Sequence, residues 1–150
     1  MNTLKQGDTV PNFEVFDEQG NIIKLSDYKG KKLVVFFYPA ASTPTCTVEA
    51  CNIRDHYKEL LDAGYEILGV SADTQRKQSN FKKKHDFQYP LIADVDKVMI
   101  NAFGVWGPKK FMGRTFDGIH RKTFVIDEEG KVARVIDAVK AKMHAAQILE

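Results

Sequence analysis

Cysteine is scarce in this chain of 150 residues, which has only Cys46 and Cys51. Two are too few to staple a secreted scaffold, and in a reducing compartment a close pair points to redox chemistry, metal binding or no chemistry at all. Long apolar runs are missing. The stretch Leu33–Phe37 is far too short to span a bilayer. Met1–Lys5 carries neither the apolar segment nor the small-residue cleavage site of a signal peptide, so an unprocessed cytoplasmic protein with no membrane partner is expected. Neither charge dominates: 22 Lys and Arg against 20 Asp and Glu leave a net +2, which argues against a nucleic-acid partner. Repeats, low-complexity stretches and linkers are also absent. At 43% hydrophobic and 28% charged, the composition is that of a globular chain and not a disordered one. One domain over residues 1–150 is expected, long enough to bury a sizeable core.

The pattern of apolar residues predicts the elements. Phe13–Phe16 alternates apolar and polar, Asp17–Asn21 reads as a turn, and Ile22–Leu25 follows, which predicts an N-terminal β-hairpin. Leu33–Tyr38 is continuous and β-prone, as in a central strand covered on both faces. Beyond Pro39 and the loop Ala40–Thr45, Val48, Ile53, Tyr57, Leu60 and Leu61 predict a helix over roughly 46–63, stopped at Gly64. Tyr65–Ser71 is a second buried strand. Asp73 or Thr74 opens a helix through about Lys84, Leu91–Ala93 is a short strand, and Lys97–Phe103 is helical. Gly104–Gly118 is a segment rich in Gly, Pro and Lys. Trp106 and Phe111 are expected to pack beneath it. Thr123–Ile126 and Val132–Ile136 form a hairpin, and Met143–Leu149 a closing helix. This order is α/β with a mixed sheet and fits a thioredoxin-like sandwich, although other three-layer folds fit it nearly as well.

Cys46 falls at the first turn of a helix that follows a buried strand and a short loop. Unpaired N–H groups and the positive end of the helix dipole favour a thiolate there. Ionisation alone does not make it an efficient nucleophile. Lowering a thiol pKa from about 8.5 to about 6 raises the thiolate fraction at pH about 7.4 by about 13-fold. The same shift removes about tenfold of its nucleophilicity. The site must therefore stabilise the leaving group, for which Thr43 offers a hydroxyl, the backbone offers N–H groups, and an Arg from elsewhere would complete a pocket for a small polar oxidant. Cα atoms five apart on an intact helix are about 8.7 Å from each other. A disulfide needs them within about 7 Å, so Cys46 and Cys51 pair only if the start of the helix unwinds.

Cys46, Cys51 and His56 would be spread around a helix, which argues against a metal site. A five-residue step between the cysteines argues against a thioredoxin-type dithiol oxidoreductase. Glu49, one turn from Cys46, is a candidate acceptor for hydrogen bonds that shape the site. Arg54 is expected to brace its helix by pairing with nearby acids. Lys82–Lys84 reads as a solvated helix face. The four histidines are not expected to be catalytic, because an ionised thiolate needs no general base.

The loop Pro39-x-x-x-Thr43-x-x-Cys46 resembles the active-site signature of the peroxiredoxins, which are thiol peroxidases of thioredoxin-like fold. The wider text, from Phe37-Tyr38-Pro39 through Thr43-Pro44-x-Cys46-Thr47-x-Glu49-Ala50-Cys51 to Arg54-Asp55, is similar to the peroxiredoxin Q or bacterioferritin comigratory protein subgroup. So are Gly7-Asp8-x-x-Pro11-x-Phe13, Gly69–Asp73, Gly104–Gly107, Gly118–Asp127 and Lys142–Ala145. The resemblance covers nearly the whole chain. It implies that Cys46 is the peroxidatic nucleophile, Thr43 a hydrogen-bonding partner of thiolate and peroxide, and Pro39 a shield against water. Arg121 would be the cation that lowers the Cys46 pKa. Cys51 would be the resolving thiol of an intramolecular disulfide, reduced by thioredoxin or a similar dithiol protein. It implies no metal or organic cofactor, and internal resolution fits a monomer. Two positions depart from the subgroup: Thr45 stands where Gly is usual, and Lys122 where a small or uncharged residue is usual. The alternative is a redox-responsive binding protein that uses the same cysteine pair as a switch.

Overall fold

The computed structural model describes residues 1–150. Its centre is a five-stranded mixed sheet of order β5-β4-β3-β8-β9. β3 (Lys32–Phe37), β4 (Tyr65–Ser71) and β5 (Leu91–Ala93) run parallel; β8 (Lys122–Ile126) is antiparallel to β3, and β9 (Val132–Ile136) to β8. The period of two along β3 divides the core. Leu33, Val35 and Phe37 face one side, packed with Phe103 of α4 (Val98–Phe103), Phe124 and the N-terminal residues Val10, Phe13 and Val15. Val34, Phe36 and Tyr38 face the other, packed with Cys46, Ala50 and Ile53 of α1 (Pro44–Asp55), Leu60 of α2 (Tyr57–Asp62), Phe81 of α3 (Gln75–His85) and Ile148 of α5 (His144–Leu149). This is the expected thioredoxin-like three-layer arrangement. The expected N-terminal hairpin is β1 (Glu14–Phe16) paired with β2 (Ile22–Lys24).

Several local expectations need correction. The helix expected over 46–63 is two helices. His56 leaves helical geometry at φ −113° and ψ 18°, and the chain restarts at Tyr57. Its buried stripe is Cys46, Glu49, Ala50 and Ile53, while Val48 and Leu61 are exposed. Of the expected apolar positions, Ile53 and Leu60 are buried and Tyr57 is half-buried; the buried face also includes a carboxylate, which apolar spacing does not mark. The Gly104–Gly118 segment is a hairpin, β6 (Trp106–Phe111) against β7 (Arg114–Ile119), turning through Met112 and Gly113, both at positive φ. A turn with positive φ at both central residues favours Asn or Gly, so Met112 gave no turn signal. Phe111 is 66% exposed on this hairpin instead of packed, while Trp106 is half-buried with the Lys97 ammonium over its ring. Lys82 also leaves its expected solvated face: it pairs with buried Glu18 at 3.2 Å, and Glu18 also accepts the Leu91 N–H.

The buried carboxylate Asp94 accepts the N–H groups of Val98 and Ile100, both at 2.8 Å, which closes the open start of α4. Asp94→Ala strands those donors. It is expected to lower stability by about 1–3 kcal/mol in urea titration, with little change in m-value.

Candidate active site

The parallel strands end together, and the site forms at that end. After β3 the chain passes half-buried Pro39 and turns through Ala40–Thr43 into α1. The loop is tied to the core by a chain of polar contacts. The Tyr38 hydroxyl donates to Gln78 Oε1 (2.6 Å), Gln78 Nε2 donates to Ser71 Oγ (2.9 Å), and Ser71 Oγ donates to Asp73 Oδ2 (2.7 Å). The same Asp73 oxygen accepts the Ala41 N–H at 2.7 Å. Ser42 then adopts φ 64°, a left-handed conformation that costs a non-glycine residue about 1 kcal/mol or more. Thr43 caps α1 through its backbone. Its carbonyl accepts the N–H and hydroxyl of Thr47, and its own hydroxyl donates to the Ala40 carbonyl at 2.7 Å. It gives no side-chain bond to the first helical N–H groups, and Pro44 has no N–H to satisfy. Cys46 thus sits in the first turn with the positive helix end unquenched by a cap.

The expected cation is in place. Arg121 immediately precedes β8, whose Thr123 pairs across the sheet with Phe36. Two residues back along the pleat, Arg121 lies on the same face as Thr123, the face covered by α1. Its Nη2 donates to Cys46 Sγ at 3.3 Å and its Nη1 to Glu49 Oε1 at 2.5 Å. Cys46 and Glu49 are three apart on α1, so a single guanidinium fork reaches both. The sulfur lies in an apolar cluster, with the residue 2% exposed, so this cation is its main polar neighbour. Burial opposes the Arg121 charge, but Glu49 and the bond to Cys46 outweigh it and hold the guanidinium above its ordinary pKa. Glu49 is fully buried. Burial pushes its carboxyl up to about 7, against the opposite pull of Arg121.

Cys51 lies one turn further along the same unbroken helix, half-buried and free, as is Cys46. Burial pushes its thiol up, with Arg54 opposing. Arg54 does brace the helix: it pairs with Asp55 and also donates to the His85 carbonyl. The second half of α1 is further fastened by Tyr89, which donates to the Ala50 carbonyl, and by Asn52, which bonds Lys142 and Ala145. Of the departures noted in the sequence, Thr45 is exposed, and Lys122 turns to Asp137 at 2.6 Å.

Sequence reasoning missed two residues. Lys109 of β6 donates to the Ile119 carbonyl, and burial followed by repulsion from Arg121 lowers its pKa, with Cys46 opposing. His144, at the start of α5, is fully buried with Nε2 3.4 Å from Glu49 Oε2. Neither has a signal in local spacing, since each arrives from an element remote in sequence.

The AhpC/TSA family model matches residues 6–135. The peroxiredoxin Bcp of Escherichia coli strain K12 is 45% identical over 149 residues, covering 99% of this chain and 96% of that protein. The solved peroxidoxin BcpB of Mycobacterium tuberculosis superposes with a TM-score of 0.86 at 39% identity, covering 97% of this chain and 94% of that one. A Xanthomonas campestris bacterioferritin comigratory protein, solved to study its alkyl peroxide reduction activity, superposes at 0.85 with 35% identity, covering 91% and 87%.

Arg121→Met leaves Glu49 without its cation. The Glu49 carboxyl, already raised above its unfolded value, then rises further, so the native state demands a proton that the unfolded state gives up at high pH. Stability is expected to fall by about 3 kcal/mol at pH about 8 and by distinctly less at pH about 5, where Glu49 is neutral. Chemical denaturation of the reduced protein at the two pH values measures this; equal losses would contradict it.

Proposed function

This chain belongs to the AhpC/TSA family as a peroxiredoxin of the Bcp and peroxiredoxin Q type, and from that premise we propose that Cys46 is its peroxidatic nucleophile. The protein is a thiol peroxidase, which takes a hydroperoxide as substrate and consumes a reductant. The observation that carries the assignment is the Arg121 guanidinium 3.3 Å from the Cys46 sulfur.

The Cys46 thiolate attacks the terminal oxygen of the hydroperoxide. The S–O bond forms as the O–O bond breaks, leaving a sulfenic acid and an alkoxide or hydroxide that takes up a proton. The charge that Arg121 stabilises on the sulfur passes to the departing oxygen, so the same guanidinium serves both ends of the displacement. Thr43, with its hydroxyl proton on Ala40, presents lone pairs that accept the O–H of the incoming peroxide. Pro39, half-buried at the loop entrance, limits water. Hydrogen peroxide and organic hydroperoxides are both substrates in this reading.

Resolution follows from the fastening of α1. Oxidation removes the negative charge that holds Cys46 to Arg121, while the helix beyond Ala50 keeps its Tyr89, Asn52 and Arg54 ties. The first turns open, Cys51 attacks the sulfenic sulfur, water leaves and an intramolecular disulfide forms. Thioredoxin or a similar dithiol protein reduces it. The chain works as one unit over residues 1–150 and as a cytoplasmic monomer, since no partner chain is needed for the disulfide; no helix is long and apolar enough to cross a membrane.

Cys46→Ser is expected to abolish peroxide consumption with a thioredoxin system. Cys51→Ser should complete one turnover and stop with one oxygen added to Cys46, as seen by mass spectrometry. The unaltered protein, given one equivalent of hydrogen peroxide, should lose both thiols and two hydrogens in mass. Full steady-state activity in Cys46→Ser would remove the assignment, and negligible consumption by the unaltered protein would favour a redox switch.

A further inference from the structure

Behind Arg121 lies a polar cluster that the reaction as described does not use. His144 is fully buried, with the edge of the Phe36 ring system against it. Its tautomer follows from its neighbours. The Gln147 amide is oriented by two backbone contacts: Nε2 donates to the Ala138 carbonyl, and Oε1 accepts the Lys140 N–H. That same oxygen lies 3.0 Å from His144 Nδ1, so Nδ1 must carry a hydrogen. In a neutral ring Nε2 is then bare and accepts the Thr123 hydroxyl at 2.7 Å. Glu49 Oε2 faces this bare nitrogen at 3.4 Å, is fully buried, and has no hydrogen-bond donor of its own. An ionised carboxylate facing a lone pair, in a site closed to water, is the costly arrangement. One proton, on either Oε2 or Nε2, removes the conflict.

We propose that Glu49 and His144 hold one proton between them in the reduced protein, and that this neutral pair leaves the Arg121 charge committed to Cys46, which makes His144 a positioning residue for peroxide reduction. The proposal rests on the assignment of Cys46 and Arg121 above. The pair has two charge states. With the shared proton, Cys46, Arg121 and the pair sum to zero when the sulfur is ionised. Without it, the carboxylate draws the guanidinium away from the sulfur and adds a second negative charge near the departing oxygen. The charged and titratable groups facing the cluster are Cys46 on α1, Arg121 before β8, Lys109 on β6 and Tyr89 before β5, whose hydroxyl is spent on Ala50. Burial raises the Glu49 carboxyl and lowers the His144 ring.

The test uses the full reduced chain with Cys51→Ser, so that resolution does not intrude, and follows oxidation of Cys46 by hydrogen peroxide against pH. The rate should fall on the alkaline side as the pair loses its proton. His144→Phe, which keeps the ring and removes the acceptor, should move the alkaline limb down by about one pH unit, for about tenfold lower rate on that limb. His144→Gln, which restores an acceptor, should move it less. Should either variant fail to fold, nitrogen-15 NMR of the histidine rings in the unsubstituted chain decides: Nδ1 of His144 should be protonated throughout, and Nε2 should change with the alkaline limb. A bare Nδ1, or pH profiles of both variants that superimpose on the parent, overturns the proposal. Retained turnover in Cys46→Ser would instead overturn the assignment on which it rests, leaving the ring tautomer as found.

Discussion

The contact on which the site depends is the guanidinium of Arg121, which holds the Cys46 sulfur with one nitrogen and the buried Glu49 carboxyl with another. Each part would be costly alone. An isolated carboxylate in that interior would be forced neutral, and a thiolate in an apolar cluster would be disfavoured by burial. The guanidinium offsets the charge on the sulfur, while its second nitrogen gives one Glu49 oxygen a hydrogen-bond donor. A planar fork with fixed donor spacing does this where a lysine ammonium, a single point of charge, would not.

That contact needs three pieces of chain from distant parts of the sequence. The loop after β3 sets where α1 begins, and its position comes from Asp73 at the end of β4, which holds the Ala41 N–H. The register of β8 against β3 sets the face on which Arg121 emerges. The terminal helix α5 then closes the back of the cluster with His144 and is itself tied to α1 through Asn52. The sheet is the rigid frame. The loop and the first turns of α1 are the exposed, locally hydrogen-bonded part, and these are the segments that disulfide formation must open. A cleft of about 520 Å³ lined by Leu25, Tyr28, Leu33 and Ile126 lies at the opposite end of β3. A buried sulfur reached past a short loop suits a small oxidant better than an open cavity would.

Much of this was legible along the chain because it depends on local pattern. The alternation in Phe13–Phe16, the unbroken apolar run at Leu33, and YEILGVS at 65–71 mark strands through period and β-branching, and the structure has strands at each. The break at His56 was not legible, since no Pro or Gly marks it. Nor was the β6–β7 hairpin, whose turn uses Met112 where a glycine or asparagine would have announced it.

By itself the sequence determined the chemistry available: two thiols, one of them at the start of a helix after Pro39 and Thr43, with Arg121 as the cation that the resemblance supplied. The fold alone decided which groups meet. Glu49 reads as a candidate acceptor near Cys46, but its donor is unnamed until the sheet brings Arg121 beneath it. His144 reads as one of four unremarkable histidines until α5 docks against α1. Charge and hydrogen-bonding partners separated by 72 and 95 positions leave no periodic trace in a linear text, because their pairing is set by strand register and helix packing, which exist only once the chain has closed on itself.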